Sequence, residues 1–140
     1  MELDRKADIL LVDDTPANLL VLEAILGNLR QNLVKAQSGA AALRYLMDHD
    51  VAIILMDVQM PGMDGFEFLA QARRNPALDA VPIVMFSSSR APRDVLRCYR
   101  LGANSFITKP MSLETFVATI RTLVRYWLDI VELPDPGMVD

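Results

Sequence analysis

The sequence predicts a doubly wound α/β fold in which a five-stranded parallel sheet carries helices on both faces. Short apolar runs alternate along the chain with longer segments whose apolar residues recur at three-to-four spacing. The run from Ile53 to Met56 has no polar alternation, which is typical of a strand buried on both faces. Strand and helix segments alternate strictly, and this order produces parallel strands joined by right-handed crossovers.

The ends of the elements can be assigned in chain order. The predicted strands cover residues 7–12, 32–36, 52–56, 82–86 and 105–108. Thr15 is the expected N-cap of the first helix, with Pro16 at its first position. Asp64 and Ser112 are expected to cap the third and fifth helices, and Gly102 is placed to end the fourth.

Each helix carries apolar residues at a spacing that predicts one buried face. On the second helix, Leu43, Leu46 and Met47 are expected to face inward. The apolar residues of the other helices are Leu19, Leu22, Leu26 and Leu29 on the first, Phe66 and Leu69 on the third, Val95, Leu96 and Tyr99 on the fourth, and Leu113, Phe116, Ile120, Leu123 and Trp127 on the fifth. The last helix is expected to span residues 113–129.

Composition and charge exclude several classes of function. The chain has 140 residues, which suits one domain, and no apolar run reaches the length of a membrane span. Its charged start lacks the apolar region of a signal peptide, so we expect a soluble, cytoplasmic protein. A net charge of -4 argues against direct nucleic-acid binding. His49 is the one histidine, which excludes a site with two histidine ligands, and the single Cys98 is expected to be a semi-buried residue.

Polar residues follow four of the predicted strands. They are Asp13 and Asp14, Asp57, Ser87 and Lys109. Because parallel strands end at the same edge of a sheet, these side chains are expected to meet, although each taken alone could be an ordinary cap or surface residue. Three crowded carboxylates repel by roughly 4 kcal/mol per pair at about 4 Å, so one lysine is not enough, and Mg²⁺ is the natural supplement. Carboxylates can accept phosphoryl groups, which leads to the hypothesis that Asp57 is phosphorylated.

These residues and their neighbours resemble the receiver domain of response regulators, the CheY-like family of two-component signalling. The resemblance covers residues 8 to about 129, and it is carried by Val12-Asp13-Asp14, Met56-Asp57, Met60-Pro61-Gly62-Met63-Asp64-Gly65, Ser87 and Lys109-Pro110. It implies a flavodoxin-like strand order of 2-1-3-4-5. It also implies a signalling protein that is not an enzyme, with residues 1–131 as the receiver domain, residues 132–140 as a tail and no output domain.

The resemblance also implies roles for individual residues. Asp57 would take a phosphoryl group from a phosphohistidine on a sensor histidine kinase or phosphotransfer protein. Mg²⁺ would be held by Asp14, Asp57 and the backbone carbonyl of Gln59, and partly through water by Asp13. Ser87 and Lys109 would bind the phosphoryl oxygens, and the Lys109-Pro110 bond would be cis. Ser87 and Phe106 would act as the switch, while Gln59 and Ser89 would tune dephosphorylation.

The predicted last helix is long enough to overhang the sheet, and its final turns are apolar. Such an overhang suggests a C₂ homodimer, although the tail folding back over it is the alternative. The segments around Tyr99 and Trp127 are similar to single-domain regulators paired with phytochrome-type kinases, which tend to dimerise through the fourth helix, fifth strand and fifth helix. The candidate dimer residues are Tyr99, Val124, Trp127, Leu128 and Ile130.

Other functions remain open at this point. A phosphorelay intermediate, or the receiver of a larger hybrid kinase, fits the sequence as well as a single-domain regulator. An aspartyl-phosphate phosphatase of the haloacid-dehalogenase type is a remote alternative, because it needs two acids separated by one residue, whereas Asp13 and Asp14 are adjacent. A flavodoxin-like cofactor binder is disfavoured, because these two carboxylates would repel its phosphate.

Overall fold

The computed structural model describes residues 8–27 and 31–130, with nothing to be said of the Ile130 side chain. Its strands are β1 (Asp8–Val12), β2 (Asn32–Ala36), β3 (Ile53–Asp57), β4 (Ile83–Ser87) and β5 (Ser105–Thr108). Its α-helices are α1 (Pro16–Leu26), α2 (Gly39–Asp48), α3 (Gly65–Ala72), α4 (Pro92–Arg100) and α5 (Leu113–Arg125). A 3-10 turn at Pro76–Leu78 precedes β4, and a π-helical turn at Tyr126–Ile130 continues α5.

The sheet has the strand order β2-β1-β3-β4-β5, and every neighbouring pair is parallel. The predicted fold and strand order are therefore confirmed. Asp57 is paired with Phe86, and Ser87 is paired with Thr108, one residue before Lys109. The carboxyl ends of β3, β4 and β5 consequently meet at one edge of the sheet.

Alternate strand residues point to opposite faces and form two cores. On one face, buried residues such as Leu10, Ile54 and Met85 pack with residues of α2, α3 and α4. On the other, residues such as Leu11 and Leu55 pack with α1 and α5. Each fully buried large aliphatic side chain contributes about 1.5–3 kcal/mol, so both faces stabilise the sheet that carries the edge.

Two strands end one residue later than predicted. Asp57 is the last residue of β3, and Ser87 is the last residue of β4. The ladder continues this far because the Val58 N–H still donates to the Phe86 carbonyl at 2.9 Å. Both polar side chains are therefore held by strand backbone and are buried, at 6% and 0% exposure.

The three predicted N-caps all occupy the N-cap positions of their helices, and two of them cap through their side chains. Asp64 accepts a hydrogen bond from the Glu67 N–H, and Ser112 accepts one from the Thr115 N–H. Thr15 occupies the N-cap position of α1, but its side chain makes no capping bond. Its own N–H donates instead to a carboxylate oxygen of Asp13. The predicted N-cap position of Thr15, with Pro16 at the first helical position, is therefore confirmed.

Several residues expected on apolar faces are exposed. Met47 is 79% exposed because α2 buries Gly39, Ala42 and Leu46, and the next residue along is turned away from that face. In α4, Cys98 takes the inward position and is fully buried. Three more predicted apolar-face residues lie largely outside the core, namely Leu96, Tyr99 and Leu113. Apolar spacing alone did not distinguish the buried face from an exposed apolar strip.

The last described turns differ from the expected straight overhang. The α-helical pattern stops at Arg125 and the following turn is π-helical. Val124 is fully buried against the α1 and α5 face of the sheet, so its assignment to a dimer surface was wrong. The predictions for Ala7, Leu29, the Ile130 side chain and residues 132–140 lie outside the described residues. Within the described ranges, no helix is long and apolar enough to cross a membrane.

Candidate functional site

Three carboxylates converge at the edge where β1 and β3 end. Oxygens of Asp13, Asp14 and Asp57 all lie within 4.8 Å of one another. Asp13 and Asp57 are 4% and 6% exposed, whereas Asp14 is half-buried. The structure thus brings together the three acids that the sequence predicted as a cluster, in a setting that screens their repulsion poorly.

Asp13 is oriented by the first residues of α1 and the loop before it. Its Oδ1 accepts the Thr15 N–H at 2.9 Å. The amide of Asn18 donates to both oxygens, at 3.3 and 3.2 Å. Sequence reasoning missed Asn18, and the available signal was an amide in the first turn of the helix that follows the two acids. Asn18 fixes the direction in which Asp13 presents its charge.

Among the described residues, Asp57 has one cationic neighbour. The Lys109 ammonium lies 2.9 Å from its Oδ1. Burial is the main cause that raises the pKa of Asp57 above its usual range, and Asp13 raises it further, while Lys109 and the Gln59 backbone N–H act in the opposite direction. Burial and repulsion together outweigh the ion pair, so the ionised carboxylate is less favourable here than on an aspartate in water.

The donor set fits a hard divalent cation. Three carboxylates face one ammonium, and Asp57 Oδ1 finds no hydrogen-bond donor among the described residues other than the Lys109 ammonium beside it. Oxygen ligands of this kind suit Mg²⁺ or Mn²⁺, and cysteine or histidine ligands of softer metals are not part of the described cluster. A bound cation would supply the positive charge that the acids lack.

Ser87 is held at the same edge by two donors. Its Oγ accepts the Gln59 side-chain amide at 2.7 Å and the Ser89 N–H at 3.0 Å. Both lone pairs of the hydroxyl are thereby engaged, which leaves its proton for another acceptor. The Ser89 hydroxyl is itself occupied, because it donates to Asp94 Oδ2 at 2.7 Å. The site therefore contains a hydroxyl donor connected to the start of α4.

Phe106 lies in the middle of β5, half-buried against the core below α2, α3 and α4. Its backbone N–H donates to the Tyr99 hydroxyl of α4 at 3.2 Å, a contact that sequence reasoning missed. The expected cis bond between Lys109 and Pro110 is not observed, since no cis peptide occurs among the described residues. That prediction was wrong, and the trans form is the ordinary preference of such bonds.

A cavity of about 330 Å³ opens beside Asp57, between α1 and α5. Asp57, Asp13 and Lys109 lie at its polar end. Its walls are mostly apolar and include Val21, Leu22, Leu55, Phe86, Phe116, Met111 and Leu113. Met111 and Leu113 are 99% and 66% exposed, so the mouth of the cavity is an apolar rim around a charged floor.

Among the candidate dimer residues whose side chains are described, exposure differs from one residue to the next. Tyr99 is 49% exposed on α4. Trp127 and Leu128 are half-buried against the α1 and α5 core, and the indole N–H of Trp127 is buried without a hydrogen-bond partner in the described part of the chain. The neighbouring Tyr126 is 48% exposed and stands edge-on to Trp127.

Comparison with known proteins identifies a matching family and similar structures. The family model of the response regulator receiver domain matches residues 9–121. Response regulator Rcp1 of Synechocystis sp. is 30% identical over 135 residues, which cover 90% of this chain and 92% of Rcp1. The Mn²⁺-bound crystal structure of Rcp1 aligns with a TM-score of 0.83 at 29% identity, covering 92% of this chain and 99% of that one.

A further similar structure is that of the phosphorylated cyanobacterial phytochrome response regulator RcpA. It aligns with a TM-score of 0.88 at 28% identity, covering 94% of this chain and all of that one. The predicted resemblance, including the likeness to phytochrome-paired regulators, is confirmed. The fold, the edge of acids with Lys109 and Ser87, and the match over residues 9–121 agree, and the chain belongs to the response regulator receiver family.

Proposed function

We propose that this chain is a single-domain response regulator in which Asp57 accepts a phosphoryl group from a phosphohistidine of a sensor histidine kinase or phosphotransfer protein. One observation supports this above the others. A buried carboxylate at the end of the central strand lies within 4.8 Å of two further acids and 2.9 Å from an ammonium. Such a site can hold a nucleophile and the charges of an incoming phosphoryl group together, and it gives no reason to propose catalysis on an external substrate.

The transfer follows from the positions of the chain's own groups. An oxygen of Asp57 forms a bond to phosphorus while the bond between phosphorus and the donor's imidazole nitrogen breaks, and the bonding pair stays on that nitrogen. Lys109 already lies beside Asp57, and its ammonium binds a phosphoryl oxygen and offsets the negative charge of that group. The Ser87 hydroxyl donates a hydrogen bond to another phosphoryl oxygen, because its proton is not needed elsewhere.

Mg²⁺ is the proposed cofactor, held by Asp14, Asp57, the Gln59 carbonyl and, partly through water, Asp13. When bound, it neutralises negative charge on the carboxylates and on the phosphoryl oxygens. The Mn²⁺-bound form of Rcp1 supports a divalent cation in this family. The charge deficit of the described cluster supports one in this chain.

The donor is proposed to dock over the cavity beside Asp57. Exposed apolar residues line it on α1, in the loop before α5 and at the start of α5, namely Val21, Met111 and Leu113. A helical donor with an apolar face would cover this rim while its phosphohistidine reaches the charged floor. The net charge of -4 gives no support to nucleic acid as a direct partner.

The output is proposed to pass through the face formed by α4, β5 and α5. Ser87 and Phe106 are the proposed switch, and Gln59 and Ser89 are proposed to set the lifetime of the phosphoryl group. We propose a homodimer to which the exposed Tyr99 contributes from this face and the half-buried Trp127 and Leu128 contribute from the turn that follows α5. We further propose residues 1–131 as the receiver domain and 132–140 as a tail, acting in the cytoplasm.

Phosphorylation is tested by intact mass after treatment with acetyl phosphate and Mg²⁺. We expect one phosphoryl adduct on the wild type, none on Asp57→Asn, and none on the wild type in EDTA. Neutral hydroxylamine should remove the adduct, because acyl phosphates are cleaved by it. An adduct on Asp57→Asn at the wild-type rate would contradict the assignment.

The homodimer is tested separately by sedimentation velocity at tens of micromolar protein. We expect the phosphorylated wild type to sediment faster than the untreated protein, and Tyr99→Ala to weaken that shift. An exposed residue of α2, Met47, which is not among the proposed dimer residues, supplies the matched control Met47→Ala. A monomer under both conditions would remove the dimer from the proposal and leave the phosphorylation site untouched.

A further inference from the structure

The loop between β4 and α4 forms a continuous chain of hydrogen bonds that starts at the site. The Ser89 N–H donates to Ser87 Oγ at 3.0 Å. The Ser89 hydroxyl then donates to Asp94 Oδ2 at 2.7 Å and accepts the Ala91 N–H at 3.2 Å. One serine thus binds the buried hydroxyl of Ser87 with its backbone and the first turn of α4 with its side chain.

The Ser89 side chain acts as a helix cap for α4. The N-cap position is Ala91, whose side chain has no acceptor, and the first helical residue is Pro92, which has no N–H. The bonds made by the Ser89 hydroxyl to Ala91 and Asp94 therefore replace a capping box, in which a side chain at the third helical position returns to the cap. Without them the first turn of α4 loses its fixed connection to the loop.

The rest of α4 is lightly anchored. In this helix, which is described over its whole length, Cys98 is the one buried side chain, whereas α3 buries five residues. Two further contacts are specific. The Arg97 guanidinium stacks 4.2 Å above the Phe66 ring, and the Tyr99 hydroxyl accepts the N–H of Phe106. A change at the first turn of α4 is therefore not resisted by a large core.

We propose that Asp94 is a positioning residue that acts through Ser89 on Ser87, so that the phosphorylation site and α4 bias each other. Asp94 touches no reacting atom. Asp94 accepts the hydrogen bond of the Ser89 hydroxyl and so holds Ser89 in place. The Ser89 N–H then occupies one lone pair of the Ser87 hydroxyl, which directs the Ser87 proton toward the phosphoryl group. This role deepens the proposed function and rests on it.

Coupling of this kind is reciprocal. If the Asp94 contact favours the Ser87 position that binds a phosphoryl group, then a phosphoryl group changes the stability of the Asp94 contact by the same factor. The net worth of one hydrogen bond corresponds to a change of about twofold to tenfold. Effects of that size are expected both on the phosphoryl group and on α4.

The first experiment measures the rate of Mg²⁺-dependent labelling by acetyl phosphate and the half-life of the adduct. Ser89→Ala and Asp94→Ala should each lower the labelling rate and shorten the half-life by about twofold to tenfold. The double variant should be no worse than either single one, because both remove the same connection. Asp94→Asn keeps a hydrogen-bond acceptor and should retain most of the wild-type labelling rate and half-life. Ser88→Ala, at an exposed serine of the same loop, is the matched control and should behave as wild type.

The second experiment uses Cys98 as a reporter of α4. Its rate of reaction with a maleimide is measured in the protein with and without acetyl phosphate and Mg²⁺. The wild type should change its rate at least about twofold on phosphorylation, and Asp57→Asn should not respond. Ser89→Ala and Asp94→Ala should become labelled at Asp57 yet lose most of the Cys98 response, which a merely structural defect would not produce.

The outcomes separate the two proposals. The role of Asp94 would be overturned if both Ser89→Ala and Asp94→Ala kept the wild-type labelling rate, half-life and Cys98 response. The proposed function would still stand. Strictly additive losses in the double variant would also overturn it, because they would show two independent contributions. Failure of the wild type to be labelled at all would overturn the proposed function and this inference with it.

Discussion

Replacing Asp57 by asparagine should stabilise the metal-free protein, even though it removes the residue on which the proposed function depends. The side chain is 6% exposed, and it lies within 4.8 Å of two other carboxylates. Its pKa is raised, chiefly by burial, which means that the ionised form costs free energy in the folded state. Asparagine has nearly the same shape and no charge.

The size of the gain can be worked from the distances. At 4.8 Å and an effective dielectric of about 20, each of the two carboxylate pairs repels by about 3.5 kcal/mol. The Lys109 contact at 2.9 Å offsets about 6 kcal/mol of this on the same scale. On this scale repulsion and attraction nearly cancel, so the burial of the charge decides the sign. We therefore expect a gain of about 1–3 kcal/mol, or a rise in Tm of about 3–9 °C.

The assay is thermal unfolding in EDTA at low ionic strength and neutral pH, with Asp48→Asn as a control at an exposed acid. The sign with pH follows from the raised pKa. The stability linked to Asp57 is fully present below its ordinary pKa of 3.8 and is lost as the pH rises through the folded value. The advantage of Asp57→Asn should consequently shrink as the pH is lowered. A variant less stable than wild type at neutral pH would refute the charge argument.

Three further predictions follow from the same contacts. Adding Mg²⁺ should raise the Tm of the wild type more than that of Asp57→Asn, because the cation offsets charge that the variant lacks; equal shifts in differential scanning calorimetry would contradict this. Asn18→Ala should weaken Mg²⁺ binding by about tenfold in calorimetric titration, since Asn18 orients Asp13; unchanged affinity would exclude that role. Cys98 is fully buried, and burial is the main cause that raises its pKa to about 11. Iodoacetamide at pH 8 should therefore modify this thiol only as fast as the protein opens or unfolds. Prompt modification of the native protein would contradict the packing of α4.

The sequence was sufficient to predict which residues meet at the edge. Strictly alternating elements require parallel strands, and parallel strands end together, so the meeting of Asp57, Ser87 and Lys109 could be predicted from their positions in the sequence. The strand boundaries were off by one residue because Asp57 is polar, and an apolar run gives no sign that a charged residue still belongs to the ladder. Burial of a charge at a strand end is decided by its partners, which lie far away in sequence.

Faces and side-chain contacts were harder to predict. Met47 and Leu96 fit an apolar spacing, yet the register of each helix on the sheet turns them outward. Val124 was expected on a surface because the tail of the helix was assumed to overhang, whereas the packing of α5 buries it. The contacts of Asn18 and Asp94 depend on side-chain directions in the two loops at the site, and residue type alone does not specify those directions.

The central claim is that the phosphoryl group is carried by Asp57. The most direct test is to trap the acyl phosphate with sodium borohydride after treatment with acetyl phosphate and Mg²⁺, and then to locate the reduced residue by tandem mass spectrometry. Reduction converts a phosphorylated aspartate to homoserine. We predict homoserine at position 57 in the wild type, and none in a sample treated without Mg²⁺. Homoserine at Asp13 or Asp14 with none at Asp57 would contradict the account.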